Sequence, residues 1–333
     1  MQEIFMTRVE MPRKVFEIDH SKAVMTMGSC FSEHIGRNLS DNGFRCDTNP
    51  FGVLYNPLSI SAALRRILSG KKYDEEAPEL IAYEGNWHSL MHHSSFSAST
   101  KAGCLSLVNE RLLSASSFLR GAGVLLVTFG SAYVYRYKPT GEVAGNCHKL
   151  PERMFLRERL LPETIVEEYT SLLAELQSYN PDLHLIFTVS PIRHLRDGLH
   201  GNQLSKATLL LAIDRLVEMH PAKCHYFPSY EIMMDELRDY RFYADDMLHP
   251  TPLAISCIWE YFVEHFFPLS ARKTLQVWKE IRRGLEHRPF NPDSEQYKQF
   301  LSQLALRIEQ LKEKNPNFEV EKELTLCRTR LNR

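Results

Sequence analysis

The chain has 333 residues, 44% of them apolar, and a formal net charge of −1. Its length and apolar content allow one large α/β domain with an appendage, or two domains, and exclude global disorder. The balanced charge gives no whole-protein case for nucleic acid or an anionic membrane as partner.

Residues 23–27 form a short apolar run that stops at Gly28, the pattern of a buried strand. Residues 31–39 then take helical spacing, with Phe31, Ile35 and Leu39 on one face, so Gly28-Ser29-Cys30 is expected to be a strand-to-helix turn. A second strand is predicted at 44–47 and a helix at 57–68. Residues 124–129 carry the strongest strand signal, ending at Gly130. Residues 133–137 and 142–144 flank Pro139-Thr140-Gly141 and read as a hairpin. Helices at 163–178 and 204–218 alternate with strands at 184–189 and 224–227. This alternation predicts an α/β three-layer sandwich with a central parallel sheet. Ligands of such sheets lie beyond the carboxyl ends of the strands. Ser29, Cys30, Gly52, Gly130, Ser131 and residues 190–194 should therefore surround one crevice. After Thr251 the strand signal stops; 255–266 should pack on the sheet, and 272–286 and 294–314 are amphipathic helices. The expected division is a catalytic domain at 1–266 and a C-terminal helical extension at 267–333, acting as cap, lid or oligomer surface.

Seven scattered cysteines without a CxxC pair argue against a disulfide framework or a zinc knuckle. The first residues lack a signal-peptide core, and no apolar stretch is long enough to span a bilayer. A cytoplasmic protein is expected, with its oligomeric state left open.

Two stretches carry nucleophilic chemistry. A nucleophile at Ser29 or Cys30 would sit at a helix N-terminus, whose free amides favour negative charge and can hold an oxyanion. In Asp246-Met247-Leu248-His249 the spacing lets the carboxylate reach the Nδ1 side of the imidazole and leaves Nε2 for the nucleophile. Read blandly, Ser29 is an N-cap, Cys30 a small buried residue and Asp246 a loop cap.

A Gly-x-nucleophile after the first strand and an Asp-x-x-His after the last resemble the SGNH (GDSL-like) hydrolase superfamily. The match is closer to the GSCFA family, through Gly28-Ser29-Cys30-Phe31-Ser32, Asn49-Pro50-Phe51-Gly52, His92-His93-Ser94-Ser95-Phe96-Ser97, Thr128-Phe129-Gly130-Ser131-Ala132, Asn146-Cys147-His148-Lys149 and Ser190-Pro191-Ile192-Arg193-His194. The resemblance implies an acyl-ester hydrolase or O-acyltransferase acting on a small or glycan-like ester. The superfamily places its serine two residues after the glycine; here that position is Cys30, and Ser29 is the other candidate. Gly52 fits the oxyanion glycine. The usual asparagine after the third strand is absent, so Asn146 or Ser131 would supply the side-chain donor. No resident cofactor is implied, although a coenzyme A thioester could serve as acyl donor.

His93 or Ser94 is a candidate for lining the substrate pocket, and His148, Arg193 and His194 for binding an anionic substrate group. No Cys or carboxylate set completes a metal-ligand spacing around His88, His92 and His93, so no metal is expected. A redox-responsive binding protein and a metal-dependent enzyme are the rival readings.

Overall fold

The computed structural model describes residues 7–287 and 289–331. Its centre is β5 (Ala122–Phe129), eight residues of which seven are fully buried. Such a continuous apolar run suits a strand covered on both faces. Around it stand β1 (Ala23–Gly28), β2 (Cys46–Thr48), β8 (His184–Val189) and β9 (Cys224–Tyr226), all parallel in the order β2-β1-β5-β8-β9. The order reverses between β1 and β5, which makes that junction the topological switch point of the sheet.

Successive side chains leave a strand on opposite faces. Met25, Met27, Leu125, Val127, Leu185 and Phe187 therefore share one face with α2 (Pro57–Ser69), α3 (Lys101–Arg120), α4 (Pro162–Tyr179) and α5 (Gly198–Met219). Val24, Val124, Leu126 and Ile186 share the other with α1 (Cys30–Asp41) and α7 (Pro252–Phe266). The expected three-layer α/β sandwich is thus present. The short helix α6 (Ser229–Glu231) leads from β9 into a wider helical turn at 232–236.

Two hairpins sit outside the sheet. One pairs β3 (Leu80–Tyr83) with β4 (Asn86–Ser89). The other pairs β6 (Tyr133–Tyr137) with β7 (Phe155–Arg159). Residues 142–144 turn back onto β6 as expected: the Tyr137 amide donates to the Glu142 carbonyl and the Ala144 amide to the Tyr135 carbonyl, each at 2.8 Å, around a bridge between Arg136 and Val143. The intervening loop is turned back through His148 and Lys149, both at positive φ, which brings β7 onto β6.

The chain ends in α8 (Leu269–Glu286), α9 (Glu295–Lys314) and α10 (Glu321–Leu331), closed around Trp278, Ile281, Ile308, Phe318 and Val320. The indole of Trp278 donates to the Asp41 carbonyl at 2.8 Å, and the Glu319 amide to the Gly43 carbonyl at 2.8 Å. The extension therefore docks at the C-terminal end of α1, a helix length of about 18 Å from Cys30. Of the three roles expected for it, a lid over the crevice does not fit this placement.

Candidate active site

Register brings the strand ends together. Gly28 lies opposite Thr128, and Phe129 opposite Val189, so the loops after β1, β5 and β8 leave the sheet side by side. They form one wall of a cleft of about 540 Å³ lined by Ser29, Cys30, Ser131, Arg193, His194 and His249, with Asn146 and Tyr55 also facing it.

Gly28 makes the first turn possible. Its φ is +138°, and a Cβ there would lie 2.1 Å from the Thr128 carbonyl oxygen. The Gly28 amide donates to Asn49 Oδ1 at 2.9 Å, which ties β1 to the loop after β2. Ser29 is 1% exposed and caps α1, its Oγ accepting from the Phe31 amide at 3.3 Å. Cys30 is the first residue of the helix and is only partly buried. Its amide belongs to the first turn, which has no intrahelical acceptor. Its thiol meets the Tyr55 hydroxyl at 3.6 Å. Burial, reinforced by the neighbouring thiol, pushes the Tyr55 hydroxyl far above the ordinary phenol range, so it stays a donor.

The Asp246–His249 loop is a self-contained unit. Asp246 Oδ1 accepts the amides of Leu248 and His249 at 2.9 Å each, while Oδ2 meets His249 Nδ1 at 2.5 Å. These bonds, the His249 amide first, lower the Asp246 carboxyl to about 2. Met247 takes φ +58° to close the turn, a conformation that costs a β-carbon some strain. The pairing fixes the proton on Nδ1 and leaves Nε2 available. No hydrogen bond joins His249 to Cys30 or Ser29 among the described residues. Catalytic contacts often tighten only with substrate bound.

Asn146 reaches the cleft from the loop after β6. Its Oδ1 accepts the His148 amide at 2.9 Å, so its NH₂ is the unspent end. Ser131 also lines the cleft, but its hydroxyl accepts the Tyr133 amide at 3.1 Å and lies 3.4 Å from Ser205 Oγ.

Three sequence candidates stand elsewhere. Gly52 does not line the cleft; its amide donates to the Asn49 carbonyl at 2.7 Å, and a Cβ there would meet His93 Cβ at 2.2 Å. It is a turn glycine packed on a neighbour, not an open donor. His93 caps a short turn, its Nδ1 accepting the Ser95 amide at 3.2 Å. His148 is buried and donates from Nε2 to the Ser89 carbonyl at 2.7 Å, so it touches the site only through the amide that orients Asn146. His88, His92 and His93 hold to their own loop, and among the described residues no group of three His, Cys, Asp or Glu could hold a metal ion.

Four positions in or beside the cleft carry no signal that the sequence motifs single out. Tyr55, Tyr133 and Tyr135 line the cleft from loops and a hairpin without a motif. Lys206 is 1% exposed, and its ammonium donates to the Gly130 and Ser190 carbonyls at 2.8 and 2.7 Å, clamping the ends of β5 and β8. Burial, then Arg193, lowers it to about 7. A signal existed: Lys206 shares a helical stripe with Leu209, Ile213 and Leu216, where a solvated lysine has no place.

The GSCFA family matches over residues 23–262, and the GSCFA domain protein, C-terminal domain, over 278–333. Among solved structures the chain is similar to an acetyl xylan esterase from the rumen bacterium Butyrivibrio proteoclasticus, at 12% identity and a TM-score of 0.36, covering 75% of this chain and 63% of that one. It is also similar to a carbohydrate esterase family 2 enzyme plus carbohydrate binding domain from Corynascus thermopiles (Myceliophthora fergusii), at 12% identity and a TM-score of 0.35, covering 78% of this chain and 67% of that one. The chain spans less than two thirds of the first structure's length. No curated protein matches.

Proposed function

We propose that this chain, which belongs to the GSCFA family, cleaves acyl esters through Cys30, with His249 as general base and Asp246 as its orienting partner. One observation carries the reading: a single cleft collects a helix-N-terminal thiol, an imidazole with a carboxylate on its Nδ1, and an amide whose carbonyl end is already engaged.

The steps follow from these groups. His249 Nε2 takes the thiol proton as sulfur attacks the ester carbonyl. The Cys30 amide and the Asn146 NH₂ hold the resulting oxyanion. The imidazolium returns its proton to the leaving alcohol, and a thioester remains on Cys30. His249 then deprotonates water, which attacks the thioester and releases the acid and the free thiol. An acceptor hydroxyl in place of water would give O-acyl transfer. Hydrolysis is favoured because His249 and Asp246 keep 49% and 47% of their side chains exposed, so water reaches the base. Cys30 is preferred to Ser29 because the serine hydroxyl is buried and spent as a cap. Tyr55, Tyr133 and Tyr135 offer faces on which a sugar ring can stack, in keeping with a small or glycan-like ester.

Redox sensing is the weaker reading. Cys147 shares the cleft, but burial raises its thiol to about 11, which makes it a poor partner for thiol exchange.

The reading is tested by separate treatment with a chloroacetamide and a fluorophosphonate near neutral pH, with the modified residue mapped by mass spectrometry. Alkylation at Cys30 that is lost in His249→Ala is expected. Fluorophosphonate capture at Ser29 would transfer the nucleophile to serine, and selective labelling at neither residue would defeat the proposal.

A further inference from the structure

Resting on the ester-cleaving reading above, we propose that the cleft contains a subsite for an anionic group of the substrate, a carboxylate or phosphate, centred on the Arg193 guanidinium.

Three arginines line the cleft, and two of them are matched. Arg157 meets Asp197 Oδ1 at 2.5 Å and donates to the Tyr135 hydroxyl at 2.8 Å. Arg196 is paired with Glu152. Arg193 differs: among the described residues no carboxylate lies within ion-pair distance of it. Its Nη2 points at the Met234 sulfur at 3.0 Å, a weak acceptor. Its Nε is sealed from solvent without a hydrogen-bond partner. A buried guanidinium N–H left unmatched is costly, so Arg193 lacks the acceptors a guanidinium needs, and a ligand in the cleft can supply one to the part of the group that faces it.

The surroundings deepen the deficit. Lys206, the buried amine beside Arg193, is bound by two carbonyl oxygens, and among the described residues no acid pairs with it. His194, beside Arg193 and also on the cleft wall, has a buried Nε2 without a partner. Burial and Lys206 lower His194 to about 4, so it is a neutral imidazole that offers a hydrogen bond but no charge. A neutral sugar hydroxyl could accept a hydrogen bond from Arg193, yet it would leave the guanidinium charge uncompensated. A carboxylate or phosphate meets both needs, because its oxygens accept from the guanidinium and its charge balances it. The anion can be carried by either side of the ester bond, as an acidic acyl group or as an acidic alcohol.

The test uses the full chain and three chromogenic esters: para-nitrophenyl acetate, the para-nitrophenyl half-ester of succinate, and the acetate ester of a nitrophenol bearing a ring carboxylate. One of the two anionic esters should exceed the neutral acetate in kcat/KM by about tenfold or more, and the one that does identifies the side that carries the charge. Arg193→Gln should erase that ratio, and Arg193→Lys should retain part of it. Turnover without preference for either anionic ester, or a preference that survives Arg193→Gln, overturns the subsite while leaving the ester-cleaving reading intact. If no ester is turned over, calorimetric titration with inorganic phosphate decides: saturable binding that is lost in Arg193→Gln upholds the subsite, and no binding to the wild-type chain removes it.

Discussion

Asp246 and His249 illustrate how much of the proposed catalytic pair is local. Two loop amides and one imidazole converge on a single carboxylate, which remains ionised at any pH near neutrality. Asp246→Asn should keep the loop but weaken the hold on the imidazole tautomer, lowering kcat by about 10²-fold or more in steady-state assays; an unchanged kcat would remove Asp246 from the mechanism. Asn146 is the sharper case, because its amide faces the cleft only by virtue of the His148 bond. Asn146→Ala should lower kcat by about 10²–10³ with little change in KM, as expected of a donor used in the transition state. A silent Asn146→Ala accompanied by a damaging Ser131→Ala would move the role to Ser131. The Asp-x-x-His pair was legible in the sequence because its partners lie within one turn. Lys206, Tyr55 and the unmatched Arg193 were not, because burial and missing partners are properties of neighbours distant in the chain.

The strand–turn–helix element around Gly28 carries both a structural cap and the proposed nucleophile. Ser29 supplies the cap that starts α1, and Cys30 takes the first helical position with its amide free. Ser29→Ala should therefore cost about 1 kcal/mol in urea unfolding, with a smaller effect on turnover than Cys30→Ala. The reverse ranking would mark Ser29 as the nucleophile. Sequence periodicity was sufficient for this element, since an apolar run, a glycine and a stripe of Phe31, Ile35 and Leu39 specify it locally. The local turn returns 142–144 to β6 as the sequence predicts, but the second neighbour of β6, Phe155–Arg159, needed the fold, because only the loop reversed at His148 and Lys149 brings that strand back. In α3 the buried stripe of Cys104, Val108, Leu112, Ala115 and Leu119 is helical, but it is diluted by serines and went unread.

At the scale of the whole molecule, several buried histidines are held neutral. Burial, foremost among the causes, lowers His92 to about 3 and His194 and His225 to about 4. Above about pH 6.5 the folded and unfolded chains both keep these rings neutral. As the pH falls below that value, the unfolded chain takes up protons that the folded chain refuses, so stability declines progressively toward the folded values. The urea midpoint should therefore be lower at pH 5 than at pH 7.5; a midpoint that is equal or higher at pH 5 would show that these rings are protonated in place. Asp246 acts in a lower window, its contribution lost only as the pH falls from about 3.9 through about 2. What the sequence by itself determined is what short-range patterning encodes: the alternation of strands and helices, the turn at Gly28, the Asp246–His249 pair and the amphipathic tail. What only the tertiary structure decided is which distant residues meet. Parallel register sets the ends of β1, β5 and β8 side by side, and that alignment brings Asn146 and Arg193 to the cleft, turns Gly52, His93 and His148 away from it, and seats the helical extension at the opposite end of α1. The physical reason is that helical and strand periods act over a few residues, whereas register and burial are set by contacts between segments tens to hundreds of residues apart.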